Sequence, residues 1–423
     1  METLEYREQI PIRPAKYDVV VAGGGVAGVA AALTATRAGK KALLIEKSNV
    51  LGGLGTLGQV NLFVPMCNGR GTQIIFGLCE ELAQLSRKYG WAQVPREWAN
   101  GQPAESTTVR YCVRYSPVCF AMAMLKFLED SGVDLLLDTI VSAPVMDGRH
   151  CRGVIIEGKS GREFIRGKMF IDVTGDGDLM RRAGMQVVVG ENFETYMSKA
   201  ITLESCRQAV ESGDIGRAFE LSFGGPADLY GHQQPEEIPL WHGTSTDETT
   251  AYLLRNQKCL LKKYENAPVN SYELLIPLMP QSRTSCRIAG EYVLRAEDAY
   301  RHFEDSVAAI CDFDRRDFLY EVPYRTLVQK GYDNIATAGR CAAGAGYGWD
   351  VLRVIPPAII TGQAIGNAAC LALDTGRGLD SIDVAELQRR QERQNVMVHF
   401  DDALVPKDAA ASTGEYAPAF GHV

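Results

Sequence analysis

Gly23, Gly25 and Gly28 stand at GxGxxG spacing in the stretch YDVVVAGGGVAGVAAALTATRAGKKALLIEKSNVLGG, from Tyr17 to Gly53. The context gives that spacing its meaning. An apolar run from Val19 to Ala22 reads as a buried parallel strand, and a small-residue helical pattern follows from Val26 to Gly39. A second apolar run, Ala42 to Ile45, then ends on the carboxylate of Glu46. In such a strand–turn–helix–strand setting, Gly23 permits the tight turn, Gly25 lets the backbone approach a pyrophosphate, and Gly28 lets the helix lie close on the strand. The helix N-terminus offers free N–H groups and a partial positive charge to the phosphates. Glu46 falls about twenty residues on, where an acid accepts hydrogen bonds from ribose hydroxyls. This is a dinucleotide site, and which dinucleotide it takes stays open.

Other residues fit for chemistry are scattered. His232 and His242 could act as acid or base near neutral pH, or be surface or satisfied core histidines. Arg283 could clamp a substrate carboxylate with its planar fork, with Arg110 and Arg114 as competitors and an exposed ion pair as the default for each. Cys67 follows a glycine-rich loop and reads first as a small buried apolar residue. No histidine or carboxylate spacing marks a metal. The 11 cysteines are odd in number and include no CxxC, so no zinc, iron–sulfur or dithiol framework is expected.

The elements that must position these residues follow an α/β order. Residues Met1 to Lys16 read as a polar lead-in, either an edge strand or a partner-contacting arm. Glycines at 52, 53, 55, 58, 69 and 71 suit backbone lying against a flat ligand or in tight loops. Helical spacing resumes near Thr72 with Ile74, Ile75, Leu78, Leu82 and Leu85, and Pro117 to Ser131 forms a second amphipathic helix. After a strand at Val133 to Leu137 come short strands at Ile140 to Met146, Cys151 to Glu157 and Arg162 to Arg166, an antiparallel meander. A further strand, Lys168 to Val173, ends in Thr174-Gly175-Asp176-Gly177-Asp178. The stretch from about Gln186 to Val322 is more polar and aromatic, with helical patterns near Thr249 to Tyr264 and Ala289 to Tyr300. It reads as a substrate domain. Asn334 to Ala338 then reads as a strand, Gly339-Arg340 opens a glycine-rich loop, and a small-residue helix runs from about Pro356 to Leu373.

Three separated blocks carry a resemblance: GGGVAG with Glu46-Lys47 and Gly52-Gly53, FIDVTGDGDLMRRAG at 170–184, and NIATAGRCAAGAGYGWDVLRVIPPAIITGQAIGNAA at 334–369. With RIAGEYVL at 287–294, the chain resembles the FAD-dependent oxidoreductases of the glutathione-reductase-like superfamily, near the fumarate-reductase-type and heterodisulfide-reductase-type flavoproteins. That resemblance implies a Rossmann-like FAD domain of glutathione-reductase type with an inserted antiparallel meander, built from 1–185 and 323–400. A mixed α+β substrate domain would occupy 186–322 and a tail 401–423.

The same resemblance assigns site residues. It implies that Gly23, Gly25, Val26, Ala27 and Gly28 hold the FAD pyrophosphate, with Glu46 and Lys47 at the adenosine ribose and Gly53 and Thr56 in the loop beyond. Val141 would meet the adenine through its backbone, and Thr174, Gly175 and Asp176 would line the ADP half. Gly339 and Arg340 would sit by the phosphate and ribityl region, where relatives often have Gly-Asp. Arg353, Val354 and Gly362 belong to the segment that would turn a helix N-terminus towards the flavin pyrimidine edge, where the dipole favours the reduced ring's negative charge.

The chain also departs from its relatives. Their third block often carries a THEA-like run with a histidine near the flavin, and here that register holds Gly344, Ala345, Gly346 and Tyr347. Tyr347 becomes the candidate for the proton that accompanies hydride transfer, with an aromatic lid as its structural alternative. Paired arginines often precede RIAG in relatives, whereas Cys286 precedes Arg287 here.

The function implied is hydride transfer between flavin N5 and a small organic substrate, by a dehydrogenase or an enoyl-type reductase. Alternatives are FAD as an internal redox relay, or a structural or electron-conduit FAD subunit of a larger complex. Only the first glycine motif is complete, so electrons would pass to oxygen, a carrier protein or a transient nicotinamide. The net charge of −8 argues against nucleic acid, including a tRNA-modifying role. No apolar stretch suggests a membrane span, and METLEYREQIPIRPAKYD lacks a signal-peptide core, so a cytoplasmic chain is expected. Whether the chain self-associates stays open.

Overall fold

Val19, Val20, Val21 and Ala22 are shut off from water, and a strand buried on both faces belongs inside a parallel sheet. In the computed structural model, which describes residues 4–103, 106–228, 230–266 and 269–407, strand β1 (Ile12–Ala22) is central. On one side it pairs in parallel with β2 (Ala42–Ile45), register Val19–Ala42 to Ala22–Ile45. On the other it pairs with the strand Gly161–Asp172, register Val19–Met169 to Ala22–Asp172. Asp134–Leu136 extends the parallel sheet beyond β2, and Ile335–Thr337 extends it beyond Gly161–Asp172. Helix α1 (Val26–Arg37) connects β1 to β2. The architecture is mixed α/β with a parallel-dominated sheet.

Among the described residues of the lead-in, no separate edge strand forms. Ile12 to Lys16 simply prolongs β1 and pairs with Phe164 and Arg166. Nor is the chain broken at Gly167, where the sequence reads as two strands. One strand runs through because a Cβ there would come within 2.7 Å of Val20 Cγ2 and 2.9 Å of the Phe170 ring, so neighbouring side chains fill its place. The first half of this strand pairs antiparallel with His150–Gly158, which pairs in turn with Ile140–Asp147.

The long helix Ile355–Thr375 crosses α1 at close range. A Cβ on Gly362 would lie 2.2 Å from the Ala27 carbonyl oxygen, and one on Gly366 would lie 2.8 Å from that of Ala31. Ala30, Ala31, Ala364 and Ala368 are fully buried around this crossing. The long helix is long and apolar enough to cross a membrane by length and composition, and its residues from Ile355 to Ala372 are all buried in the fold, as in a core helix.

Between them, residues 186–322 hold a three-stranded antiparallel sheet, with Met197–Thr202 flanked by Glu220–Phe223 and Ser271–Leu275. Two helices, Leu203–Ser212 and Thr246–Lys262, accompany it. The hairpin Ser306–Cys311/Leu319–Pro323 is buried in the same core as α1 and the long helix. Two helical expectations fail. The helix near Thr72 begins at Gly77, whose positive φ of 61° breaks the helical backbone before it; Ile74 instead donates its N–H to the Met66 carbonyl. Ala289 to Tyr300 holds only a single turn at Ala296–Asp298. Its backbone bonds elsewhere, Leu294 to Ala343 and Tyr292 to Arg325. Of the expected tail, Asp402–Leu404 forms one turn and 408–423 lie outside the described residues.

Replacing Gly362 with Ala should force the helices apart and lower stability by about 1–3 kcal/mol, the usual scale for overpacking. A thermal melt of the variant checks this, and an unchanged midpoint would show that the crossing yields freely.

Candidate functional site

Three glycines of the first turn answer to different demands. Gly23 has φ +107°, and a Cβ there would approach the Val173 carbonyl oxygen to 2.5 Å. A Cβ on Gly28 would meet the Gly23 oxygen at 2.0 Å. Those two are required by the chain's own packing. Gly25 is not: no atom lies within 4 Å of where its Cβ would stand. Open space beside that backbone is what a closely approaching pyrophosphate needs. Gly25 is also the N-cap of α1, which has no side-chain cap and no acid in its first turn. Its first N–H groups and positive end are left for an anion from outside the chain.

Glu46 is buried at the end of β2. Its Oε2 accepts the Gly24 N–H at 2.6 Å and its Oε1 accepts that of Ser48 at 2.8 Å. Each oxygen keeps a lone pair for hydroxyl groups. The loop from Gly52 folds against the same turn: Gly52 N–H donates to the Gly24 carbonyl at 2.8 Å, and a Cβ on Gly53 would lie 3.3 Å from Gly25 Cα. Thr56 is buried and donates to the Leu51 carbonyl. Lys47 is exposed beside Glu46, and Val26 and Ala27 are buried. The residues present fit the phosphate and ribose of a dinucleotide.

Asp172 organises the second block, and nothing in the sequence reading singled it out. Fully buried, it accepts from the Thr174 N–H and hydroxyl through Oδ1 and from the Met180 N–H through Oδ2. Burial pushes its carboxyl up to about 6, against the pull of these bonds. A charged residue closing an apolar strand was the available signal. Gly175, with φ +84°, makes room for Arg340, whose guanidinium would lie 2.3 Å from a Cβ there. Arg340 pairs with Asp176 at 3.1 Å and also donates to the Ser282 carbonyl. It thereby joins the second block, the third block and the 186–322 region. The Val141 carbonyl accepts from Arg182. Gly339 has φ +64° and lies against Ala27 and Ala358. Arg353 is held by Asp350, Val354 caps the long helix, and Gly362 serves the helix crossing.

Among the candidates for chemistry, Tyr347 and Arg110 meet at Asp312, and the two histidines each lie against a separate carboxylate. Tyr347 donates its hydroxyl to the buried Asp312 at 2.6 Å, and burial and that carboxylate raise its pKa. His232 lies exposed against Asp228, and His242 against Glu248. Arg110 donates to the carbonyls of Asp312 and Asp314. The Cys67 sulfur, fully buried, accepts the Tyr111 N–H. Burial, then the nearby Arg353, pulls Arg283 down to about 10.

A lysine that the sequence did not mark stands out. Lys199 is 2% exposed on the central strand Met197–Thr202. Its Nζ donates to Asn61 Oδ1 at 2.7 Å and lies over the Phe219 ring. No carboxylate pairs with it among the described residues. Burial, then the charge of Arg114, pulls its pKa down to about 8. Asn61 in turn donates to the Tyr115 carbonyl, and Tyr115 to that of Gly55, so the lysine is tied to the glycine loop beside the first turn.

Two predictions follow from this geometry. In ligand-free protein, Gly25→Ala should leave the melting temperature unchanged yet weaken dinucleotide binding at least about tenfold, a 1.4 kcal/mol effect, in a titration. Gly28→Ala should destabilise the fold instead. Lys199 has a folded pKa below its unfolded one, so between about 8 and 10.5 the unfolded chain binds more protons, and stability from this group rises with pH. Lys199→Met should therefore remove that rise and add stability at neutral pH, by up to about 3 kcal/mol, in paired denaturation curves.

Solved structures are similar to this chain at low identity. The myxobacterial chondrochloren halogenase, a variant of the FAD-dependent halogenases, is 13% identical over 90% of this chain and 79% of its own, with a TM-score of 0.45. A flavoprotein/dehydrogenase from Cytophaga hutchinsonii is 14% identical over 90% and 82%, at 0.44. A geranylgeranyl bacteriochlorophyll reductase-like protein from Thermoplasma acidophilum is 12% identical over 96% and 98%, at 0.42. No curated protein matches the chain. The family model described as FAD dependent oxidoreductase matches residues 18–217 and 240–391. The glycine turn, its acid and the later blocks all lie within that match, and the chain belongs to the FAD-dependent oxidoreductase family.

Proposed function

We propose that this enzyme transfers a hydride between flavin N5 and a small anionic organic substrate. In this reading the parallel-sheet region is a flavin domain of glutathione-reductase type, and residues 186–322 form the substrate side. The observation that supports it is the pair of cations beside the glycine loop. Lys199 is buried with only a neutral amide as acceptor, and half-buried Arg114 has neither an ion pair nor a side-chain hydrogen bond among the described residues. Two such charges repel each other and lose hydration, a cost that a bound carboxylate or similar anion offsets.

FAD supplies the hydride chemistry when bound. The chain supplies position and charge. Gly25 and the α1 N-terminus hold the pyrophosphate, and Glu46 accepts from the ribose hydroxyls. Arg340, fixed by Asp176, keeps the second and third blocks in register. Lys199 and Arg114 hold the substrate's anionic group. Tyr347, whose hydroxyl is committed to Asp312, is a positioning residue in this reading.

Anaerobic titration of the FAD-loaded enzyme with small carboxylic acids and their neutral amides tests this. Acids should bleach the flavin, or restore it after chemical reduction, and the amides should not. For the responsive acid, kcat/KM should fall above about pH 8 as Lys199 loses its charge. Lys199→Met should raise KM about 10–100-fold, the scale of a charge-assisted hydrogen bond. A flavin that no small acid reduces or reoxidises, or a KM indifferent to Lys199, overturns the proposal.

A further inference from the structure

The chain has 6 histidines, and two of them meet at one buried carboxylate. His302 Nδ1 lies 2.6 Å from Glu321 Oε1, and His399 Nδ1 lies 3.0 Å from the same oxygen. Glu321 is completely buried, and its other oxygen accepts the Phe303 N–H at 2.7 Å. The second ring nitrogen of His302 faces another carboxylate, Asp402 Oδ1, at 2.9 Å. Carboxylate oxygens only accept, and a neutral imidazole has one N–H to give. Two carboxylates around one imidazole therefore call for positive charge, either a second proton on the ring, which makes both nitrogens donors, or a bound cation.

A metal ion meets that need and explains the convergence as well. His302 Nδ1, His399 Nδ1 and Glu321 Oε1 all lie within 4.8 Å of one another. With those three as ligands, the His302 Nε2–H is free to donate to Asp402. A histidine ligand backed by an outer carboxylate is the recurrent arrangement at metal sites, where it fixes the ring and raises its basicity. Two imidazoles and one carboxylate suit zinc-class divalent ions and leave a coordination position open. Both histidine side chains are about two-fifths exposed, at 42% and 43%, so an ion can enter from solvent.

We propose that His302, His399 and Glu321 form a divalent transition-metal site, with Asp402 orienting His302. The ligands come from three separated stretches. Glu321 lies on the buried hairpin, and the segment bearing His399 is already bonded to that hairpin, Ala309 N–H to the Met397 carbonyl and Ser306 hydroxyl to that of Val398. An ion here fastens the 396–402 segment to the core.

Zinc titration of the full-length, FAD-loaded protein after chelator treatment tests the site. One Zn2+ per chain should bind and raise the melting temperature. His399→Asn, at a half-exposed position that the fold tolerates, should weaken binding at least about 100-fold, and Asp402→Asn about 10–100-fold, the range for lost outer partners. Substituted Co2+ should show a spectrum without thiolate charge transfer, which separates this site from the cysteines. No binding, an affinity unmoved by His399→Asn, or a thiolate spectrum overturns the proposal.

Discussion

The carbonyl oxygen of Ala27 has no room for a side chain opposite it. Gly362 supplies the vacancy, and the rest of the site depends on it. Because the backbones of α1 and the long helix approach so closely, Gly339 can lie against Ala27 and Ala358, which brings the third sequence block to the first. The second block joins through the sheet, where Asp172 pairs with Ala22 on one side and Thr337 on the other. Three stretches separated by more than a hundred residues thus share one turn. The binding surface is a by-product of packing small residues where larger ones would hold the helices apart.

Charge is treated in two opposite ways within the described residues. The buried carboxylates of the first two blocks are satisfied mainly by the backbone: Glu46 by two N–H groups, and Asp172 by two more and a hydroxyl. These fix loops, since a carboxylate held on both oxygens dictates where the donating backbone must be. The buried cation Lys199 and its neighbour Arg114 have no such compensation. A protein seldom keeps an uncompensated buried charge for stability's sake, and on the proposed function that asymmetry marks site off from scaffold.

Much of the first block was legible in the sequence because its constraints are local. The apolar runs around Gly23 to Gly28, the acid at Glu46 and the long small-residue helix all announce themselves by spacing. What the sequence hid is long-range. Gly167 read as a break, yet Val20 and Phe170 fill its missing side chain and the strand continues. Ala289 to Tyr300 has helical spacing, but its backbone finds partners at Arg325 and Ala343 instead. Lys199 carries no local mark, since its burial follows from a sheet whose strands are distant in sequence. His302, Glu321 and His399 likewise meet only after the hairpin and the 396–402 segment have docked.

The unbroken strand from Gly161 to Asp172 has a mechanical consequence. Its first half belongs to the meander that carries Val141, and its second half carries the Asp172 loop. A strand hydrogen-bonded along its whole length does not hinge in the middle. The meander and the loop that holds Thr174 therefore move as one body, like the two ends of a beam. On the proposed function, the opening that admits a substrate lies on the side of residues 186–322, to which Arg340 ties the beam as a latch through the Ser282 carbonyl.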